Sequence, residues 1–523
     1  MVYSLLINGL RFMRNIVFFF AVMLLAGSVN AKTAGVDTSD TTRLTNLVIF
    51  VRFADDEEID HSFDAIDSMF NSQESGYLSV YNFYNTLSYG KILFNTVYTD
   101  NIHDGIIVSY VDSMPRCYFQ PYSESNPMGY YPEEQPAQGV SMREAELLGR
   151  IVSYVDSMHW VDSTVVLDGD GDGDIDNISF IVKGGTGAWN TILWPHMEYF
   201  PHDSLGRVLT INGVVPNAFN FEFEGADEDK FCTHVFRHEM GHSLGLPDLY
   251  HYSNYDNVTP AFLWDMMNYS QRTNHTSAIL KSKYLHVADE PIEITADGDF
   301  TLRSVGSSPS QNCYYIKSAI DSTQWFVFEY RNQADLFEEG IPGTGLIAAR
   351  WNDTVPLGNS RYSNAFFDFY NIAHQYWIFR PGSDIDTVTG SIRNAHFSLA
   401  TGRTAFGPTT DPHPYLTDGT PETSFEITDI RENGTELTFH VHFLGTEGIE
   451  SPANDRGQSA VRVYVRDGRI MVDGAEGETV RVYDMMGREV MSSQFSTLNS
   501  HFPSGVYVVK VGDEVARKVV IMN

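Results

Sequence analysis

The stretch His238-Glu239-Met240-Gly241-His242-Ser243-Leu244-Gly245-Leu246-Pro247-Asp248 reads H-E-x-x-H-x-x-G-x-x-D. On a helix, His238 and His242 are four residues apart and share a face, so two imidazoles can reach one ion. Glu239 stands beside them, where it can polarise a water on that ion rather than bind it. Gly245 is the expected helix stop, because glycine accepts the left-handed backbone that turns the chain. The turn would bring Asp248 back as a third ligand. Three protein ligands leave a fourth position for water, which is the pattern of a catalytic site, and zinc is the ion expected. The plainer reading, an amphipathic helix with two surface histidines, accounts for neither the glycine nor the aspartate.

The chain has 523 residues, enough for two to four domains. Residues 1–31 read as a secretory signal. Arg11 and Arg14 flank the apolar run 16–29, Val29-Asn30-Ala31 suits cleavage, and Met13 would start a more compact signal. That run is short for a membrane span, and no other stretch is long and apolar enough to cross a bilayer. Removing the signal takes the net charge from −34 to −36. Such acidity keeps a protein soluble and argues against nucleic acid as a partner. The three cysteines, Cys117, Cys232 and Cys313, allow at most one disulfide, so this is no disulfide scaffold.

Patterning divides the rest. Residues 32–44 are a polar linker or short pro-segment. Within 45–288, strand-like runs (44–53, 91–98, 177–182) mix with helical ones. The clearest helix is 141–158, with a Ser141 cap and a stripe of Ala145, Leu148, Ile151, Val152 and Val155. This predicts an α+β catalytic domain. Residues 192–196 read as an edge strand, since Pro195 cannot donate to a central ladder. Residues 289–445 alternate with few helical stripes and predict a β-rich, sandwich-like domain. A Gly/Ser/Asn/Glu linker at 446–458 leads to a small all-β unit at 459–523.

A second constellation is Asp168-Gly-Asp-Gly-Asp-Gly-Asp-Ile-Asp176. Its oxygens at loop positions 1, 3, 5 and 9, with Gly173 at 6, match a calcium loop of EF-hand type. Asp168, Asp170, Asp172 and Asp176 are the expected calcium ligands. Ser179 stands at position 12, where that loop has a glutamate, and a strand rather than a helix follows.

With these residues in view, the chain resembles the zinc metallopeptidases of the immune inhibitor A type, within the metzincin-like group. The resemblance spans about 45–350 and centres on 238–248, where Asp248 replaces the third histidine of related families. Further matching segments are Trp264-Asp265-Met266-Met267, Tyr84 with Ser88-Tyr89-Gly90-Lys91, Trp194-Pro195-His196 and Phe328-Glu329-Tyr330-Arg331. It implies a zincin-like catalytic domain, with Met267 packed under the zinc ligands and Tyr269 as a candidate oxyanion donor. The family also tends to carry an acidic run near 168–176. Residues 459–523 resemble the sorting domains of the type IX secretion system, through Val482-Tyr483-Asp484, Gly487-Arg488, Gly505-Val506-Tyr507 and Lys518-Val-Val-Ile521. That resemblance implies export through the periplasm to the cell surface or beyond, with the secretion machinery as a partner.

The function expected is a secreted zinc endopeptidase acting on protein or peptide substrates, with Glu239 as general base. The substrate would lie along an edge strand, with Trp194 and His196 candidates for lining the cleft. The alternative is a surface adhesin on a peptidase-like scaffold; an inactive scaffold usually loses the base or a ligand, and here all are present.

Overall fold

The computed structural model describes residues 41–131, 134, 140–185, 192–200, 208–225, 233–250, 258–270, 273–355, 374–386, 388–444, 462–466, 469–473, 479–484, 488–493, 505–511 and 515–521. The expected signal segment, Cys232 and the linker at 446–458 lie outside them. Two compact units are present, Met1–His442 and Phe443–Asn523. Among the described residues no helix is long and apolar enough to cross a membrane.

The first unit is organised around β1 (Thr42–Arg52), apolar on both faces and buried along most of its length. It pairs in parallel with β2 (Ile92–Tyr98) and β3 (Asn177–Val182). At the far edge β4 (His196–Tyr199) runs antiparallel to β5 (Ala218–Phe223), which is itself parallel to β3. The order is therefore β2-β1-β3-β5-β4, with β4 ending the sheet. Strand alternation sorts the helices. Leu47, Ile49 and Val51 pack on α3 (Met142–Ser157) through Leu148, Ile151 and Val155. Leu44, Val48 and Phe50 point the other way, toward α1 (Phe63–Asn71), α2 (Val80–Leu87) and α4 (His234–Ser243). The predicted Ser141 cap is present, its side chain accepting the Glu144 N–H at 3.1 Å.

The same core that holds α4 continues across α5 (Ala278–Lys283) into a second set of strands. A three-stranded antiparallel sheet contains β6 (Gly298–Arg303), and a larger one is built from β7 (Cys313–Lys317), β8 (Gln324–Arg331), β9 (Gly345–Asn352) and β10 (Tyr376–Ile378). The smaller sheet is completed by β11 (Phe425–Asn433) and β12 (Glu436–Phe443). β8 has two apolar neighbours. Phe326 and Phe328 meet Phe425 and Phe439 between the sheets. Val327 faces the core shared with the helices.

The second unit has a hairpin of β13 (Arg462–Arg466) and β14 (Arg469–Asp473). Beside it β15 (Val480–Asp484), β16 (Glu489–Ser493), β17 (Gly505–Val511) and β18 (Val515–Ile521) form an antiparallel sheet ordered β16-β15-β17-β18.

The expected α+β zincin-like lobe is corrected by these findings. The protein is mostly β, 34% strand against 16% helix, spread over several sheets, and no α+β catalytic lobe stands out. The reason is helix length. The helices are few and mostly short: α1, α2 and α5 have only nine, eight and six residues. Much of the remaining chain is strand and irregular connection.

The longest helix carries its own test. Ile151 is fully buried between α3 and the first sheet, so Ile151→Ala should cost about 2–5 kcal/mol through lost burial and the cavity left behind. Denaturant unfolding of the full chain, followed by tryptophan fluorescence, would reveal the shift of the transition.

Candidate metal centre

The helix α4 ends as its glycine predicts. Gly245 has φ +94°. Its N–H bonds the His242 carbonyl at 2.8 Å, and the Leu246 N–H bonds the Gly241 carbonyl at 3.0 Å. This pair of bonds is a Schellman turn, which satisfies two carbonyls the helix end would otherwise orphan. It also folds the Leu246 carbonyl back, where it accepts the Nδ1–H of His242 at 2.7 Å. His238 is anchored the same way from another direction, its Nδ1–H donating to the Met266 carbonyl at 2.8 Å. With each Nδ1 donating, each Nε2 presents its lone pair when the ring is neutral.

The two Nε2 atoms lie 3.2 Å apart. Asp248 Oδ1 lies 3.1 Å from one and 3.2 Å from the other. A tetrahedral ion with ligand distances of about 2.0–2.1 Å would separate its donors by about 3.3 Å. The three expected zinc ligands therefore already converge on one point. Glu239 joins them, with ligand atoms of His238, Glu239 and His242 all within 4.8 Å of one another. His238, Glu239 and Asp248 are buried and His242 nearly so. Burial opposes a charge on His238, but the Asp248 hydrogen bond and the nearby carboxylates outweigh it and raise its pKa to about 9. Asp248 is driven far below the usual carboxylate range by the two histidines, against its own burial.

The surroundings tie α4 in place from several sides. Tyr84 on α2 donates its hydroxyl to the Arg237 carbonyl at 2.5 Å, one residue before His238. At the other end of α4, Ser243 donates to Asn177 Oδ1 at 2.8 Å. Asn177 in turn donates to Asn46 Oδ1 at 2.7 Å, so the helix is tied to β3 and β1 through buried amides. Under the helix, a Cβ on Gly241 would come within 2.9 Å of Met266 Cε and 3.2 Å of Met267 Sδ. Met266 and Met267 pack close beneath Gly241, and only a glycine there admits them.

Other expected residues stand elsewhere. Tyr269 is 53% exposed, and its ring tilts against Phe262 at 5.3 Å rather than onto the histidines. His196 begins β4 but turns to the α3 side. Its Nδ1 donates to the Trp194 carbonyl at 2.6 Å, and its Nε2 lies 3.1 Å from Glu144 of α3. Burial opposes its charge, and Glu144 raises its pKa nonetheless. His196 is thus a packed partner of α3 rather than a lining of the cleft. Sequence reading missed Glu222, which alternates with Phe219, Phe221 and Phe223 along β5 and shares the helix-facing side with Asn220. Burial first, and then the charge of Glu239, push its carboxyl well above the usual range. Its only local signal is one acid set in an aromatic strand.

In the acidic run, Asp168, Asp170 and Asp176 gather with ligand atoms within 4.8 Å of one another. Asp172 is not in that group; its Oδ1 accepts the Asp174 N–H at 2.9 Å. Asp168 accepts the N–H groups of Gly171, Asp172 and Gly173, which wraps the loop around its carboxylate. Asp176 accepts the Thr45 N–H at 2.7 Å and so fastens the loop to β1. Its burial, with Asp170 adding to it, raises its pKa to about 6.

Gly245 tests how far the ligands depend on the turn. A side chain there meets open space, so the cost of Gly245→Ala is the left-handed backbone alone, about 1–2 kcal/mol. The expected result is a lower unfolding midpoint together with weaker zinc uptake, because His242 loses the carbonyl that orients it. Equilibrium dialysis with zinc, beside thermal unfolding, measures both.

Comparison with known proteins adds one finding. A family model described as a domain of unknown function (DUF6383) matches residues 451–521, which span the strands of the second unit. No curated protein matches the chain.

Proposed function

We propose that this protein is a secreted zinc-dependent endopeptidase. The observation that carries the reading is the triangle of two Nε2 atoms and one carboxylate oxygen at 3.1–3.2 Å, with both Nδ1 atoms tied to backbone carbonyls. Such a set suits a small divalent cation with nitrogen and oxygen preference. His238, His242 and Asp248 would hold the ion. Bound there, zinc would supply Lewis-acid polarisation of a peptide carbonyl and a lowered pKa for water.

The chain's own residues would do the rest. Glu239 takes the proton from the attacking water and passes it to the leaving amine. Its near-complete burial keeps bulk water from competing for that proton. Strand β4 ends the sheet and packs near α4, so an extended peptide could add to its outer edge through backbone hydrogen bonds. Peptide specificity would then come from pockets beside that edge.

The test compares the purified chain with Glu239→Gln on a quenched, mixed-sequence peptide pool, with and without a zinc chelator. Glu239→Gln should keep its zinc and lose about 10²–10⁴-fold in turnover, the usual contribution of a general base. Equal cleavage by the variant, or none by a zinc-loaded native chain, would overturn the reading.

We propose further that Asp168, Asp170 and Asp176 hold calcium in a structural role. Calcium should raise the melting temperature of the native chain and leave Asp170→Asn unmoved; equal responses would remove the site. The resemblance of the second unit to sorting domains supports export in two steps, which fractionation of cells expressing the chain with and without residues 459–523 would check.

A further inference from the structure

The turn at residues 264–267 serves two of the three metal ligands at once. The Met266 carbonyl accepts the His238 Nδ1–H. The Met267 carbonyl accepts the Leu249 N–H at 2.8 Å, one residue beyond Asp248. What holds this turn comes from a distant part of the chain. Arg331, the last residue of β8, donates through Nη1 to the Trp264 carbonyl. Its Nε and Nη2 grip Glu338 at 3.1 and 2.7 Å. Glu329 lies 3.3 Å from the same guanidinium. Its other oxygen accepts the Ala278 N–H at 2.7 Å. Asp265 closes the turn from within. Its Oδ1 accepts the Met267 N–H at 2.9 Å, and its Oδ2 accepts the Thr276 hydroxyl at 2.9 Å and the Ser277 N–H at 2.8 Å.

Asp265, Glu329, Arg331 and Glu338 are each 1% exposed or less. Four dry charges are an expensive way to fill a core, because desolvation offsets most of their attraction. Hydrophobic residues of equal volume would pack as well. What the charges add is direction, since a guanidinium fork fixes a carbonyl at a set place and angle.

We infer that Arg331 is a positioning residue of the metal centre, acting through the 264–267 turn on His238 and Asp248. The inference rests on the metal-centre reading above. Glu338 and Glu329 hold the guanidinium, the guanidinium holds the Trp264 carbonyl, and the turn presents the Met266 and Met267 carbonyls to the ligand segments. The strand β8 and residues up to 338 then belong to the zinc site as much as α4 does. Partners of this kind set the tautomer and orientation of a ligating imidazole.

The experiment measures zinc affinity of the full chain by competition with a chromophoric chelator, beside thermal unfolding without metal. Arg331→Lys keeps the charge and loses the fork. Thr276→Val loosens Asp265 from the other side and serves if the lysine variant fails to fold. Arg350→Lys is the matched control, because Arg350 is equally buried and pairs with Asp386, away from the turn. Arg331→Lys and Thr276→Val should bind zinc about 10–100-fold more weakly, the usual effect of losing such a partner, while Arg350→Lys keeps the native affinity at a comparable loss of melting temperature. Native affinity in both turn variants, or an equal fall in the control, overturns the inference and leaves the metal centre standing. A native chain that takes up no zinc overturns both.

Discussion

Two hydrogen bonds from imidazole Nδ1 to backbone carbonyls are the constraint on which this structure turns. An imidazole on a helix can rotate about two bonds, and two of them facing one another gain nothing by converging unless something opposes that freedom. Here the opposition is supplied by main chain, from Leu246 for His242 and from Met266 for His238. Backbone carbonyls are good anchors because their positions are set by whole segments rather than by one rotamer. The cost is that those segments must themselves be held, and much of the first unit can be understood as holding them. Tyr84 fixes the start of α4, the Asn177–Ser243 bond fixes its end, and the methionines beneath Gly241 fix its depth.

Strand β8 shows how one element can serve two masters. Its even positions give aromatic rings to the packing between sheets, and its odd positions give Val327, Glu329 and Arg331 to the side where the helices lie. Strands buried on both faces are usually uniformly apolar. The departure at Glu329 and Arg331 is where local rules and global structure disagree, and such disagreements concentrate near functional geometry.

The candidate ligand set was legible in the sequence because its logic is local. A spacing of four residues on a helix, a glycine at its end and an aspartate three places later are all short-range facts, and the structure brings His238, His242 and Asp248 together as that spacing implies. The α3 stripe and its serine cap were legible for the same reason. The fold class was not. Periodicity marks that a helix exists but says little about how short it is, and short helices among many strands made the chain mostly β. The partners of the ligands were invisible too, since a carbonyl has no letter of its own: nothing in Trp264-Asp265-Met266-Met267 shows which segments its carbonyls will meet. His196 misled because aromatic and histidine side chains on an edge strand can face either layer, and only the position of Glu144 decides which.

The parts that frame the candidate metal centre are widely spaced along the chain. Residue 84 touches 237, 46 touches 177, and 264 touches 331. A ribosome delivers these segments in order, and the last of them arrives some ninety residues after His242. Until residue 338 has emerged and found its place, the turn whose Met266 carbonyl anchors His238 lacks its hold from Arg331. Contacts of such long sequence separation form late, after the entropy of closing large loops has been overcome. An incomplete chain thus carries the motif before the geometry that brings its side chains together is complete.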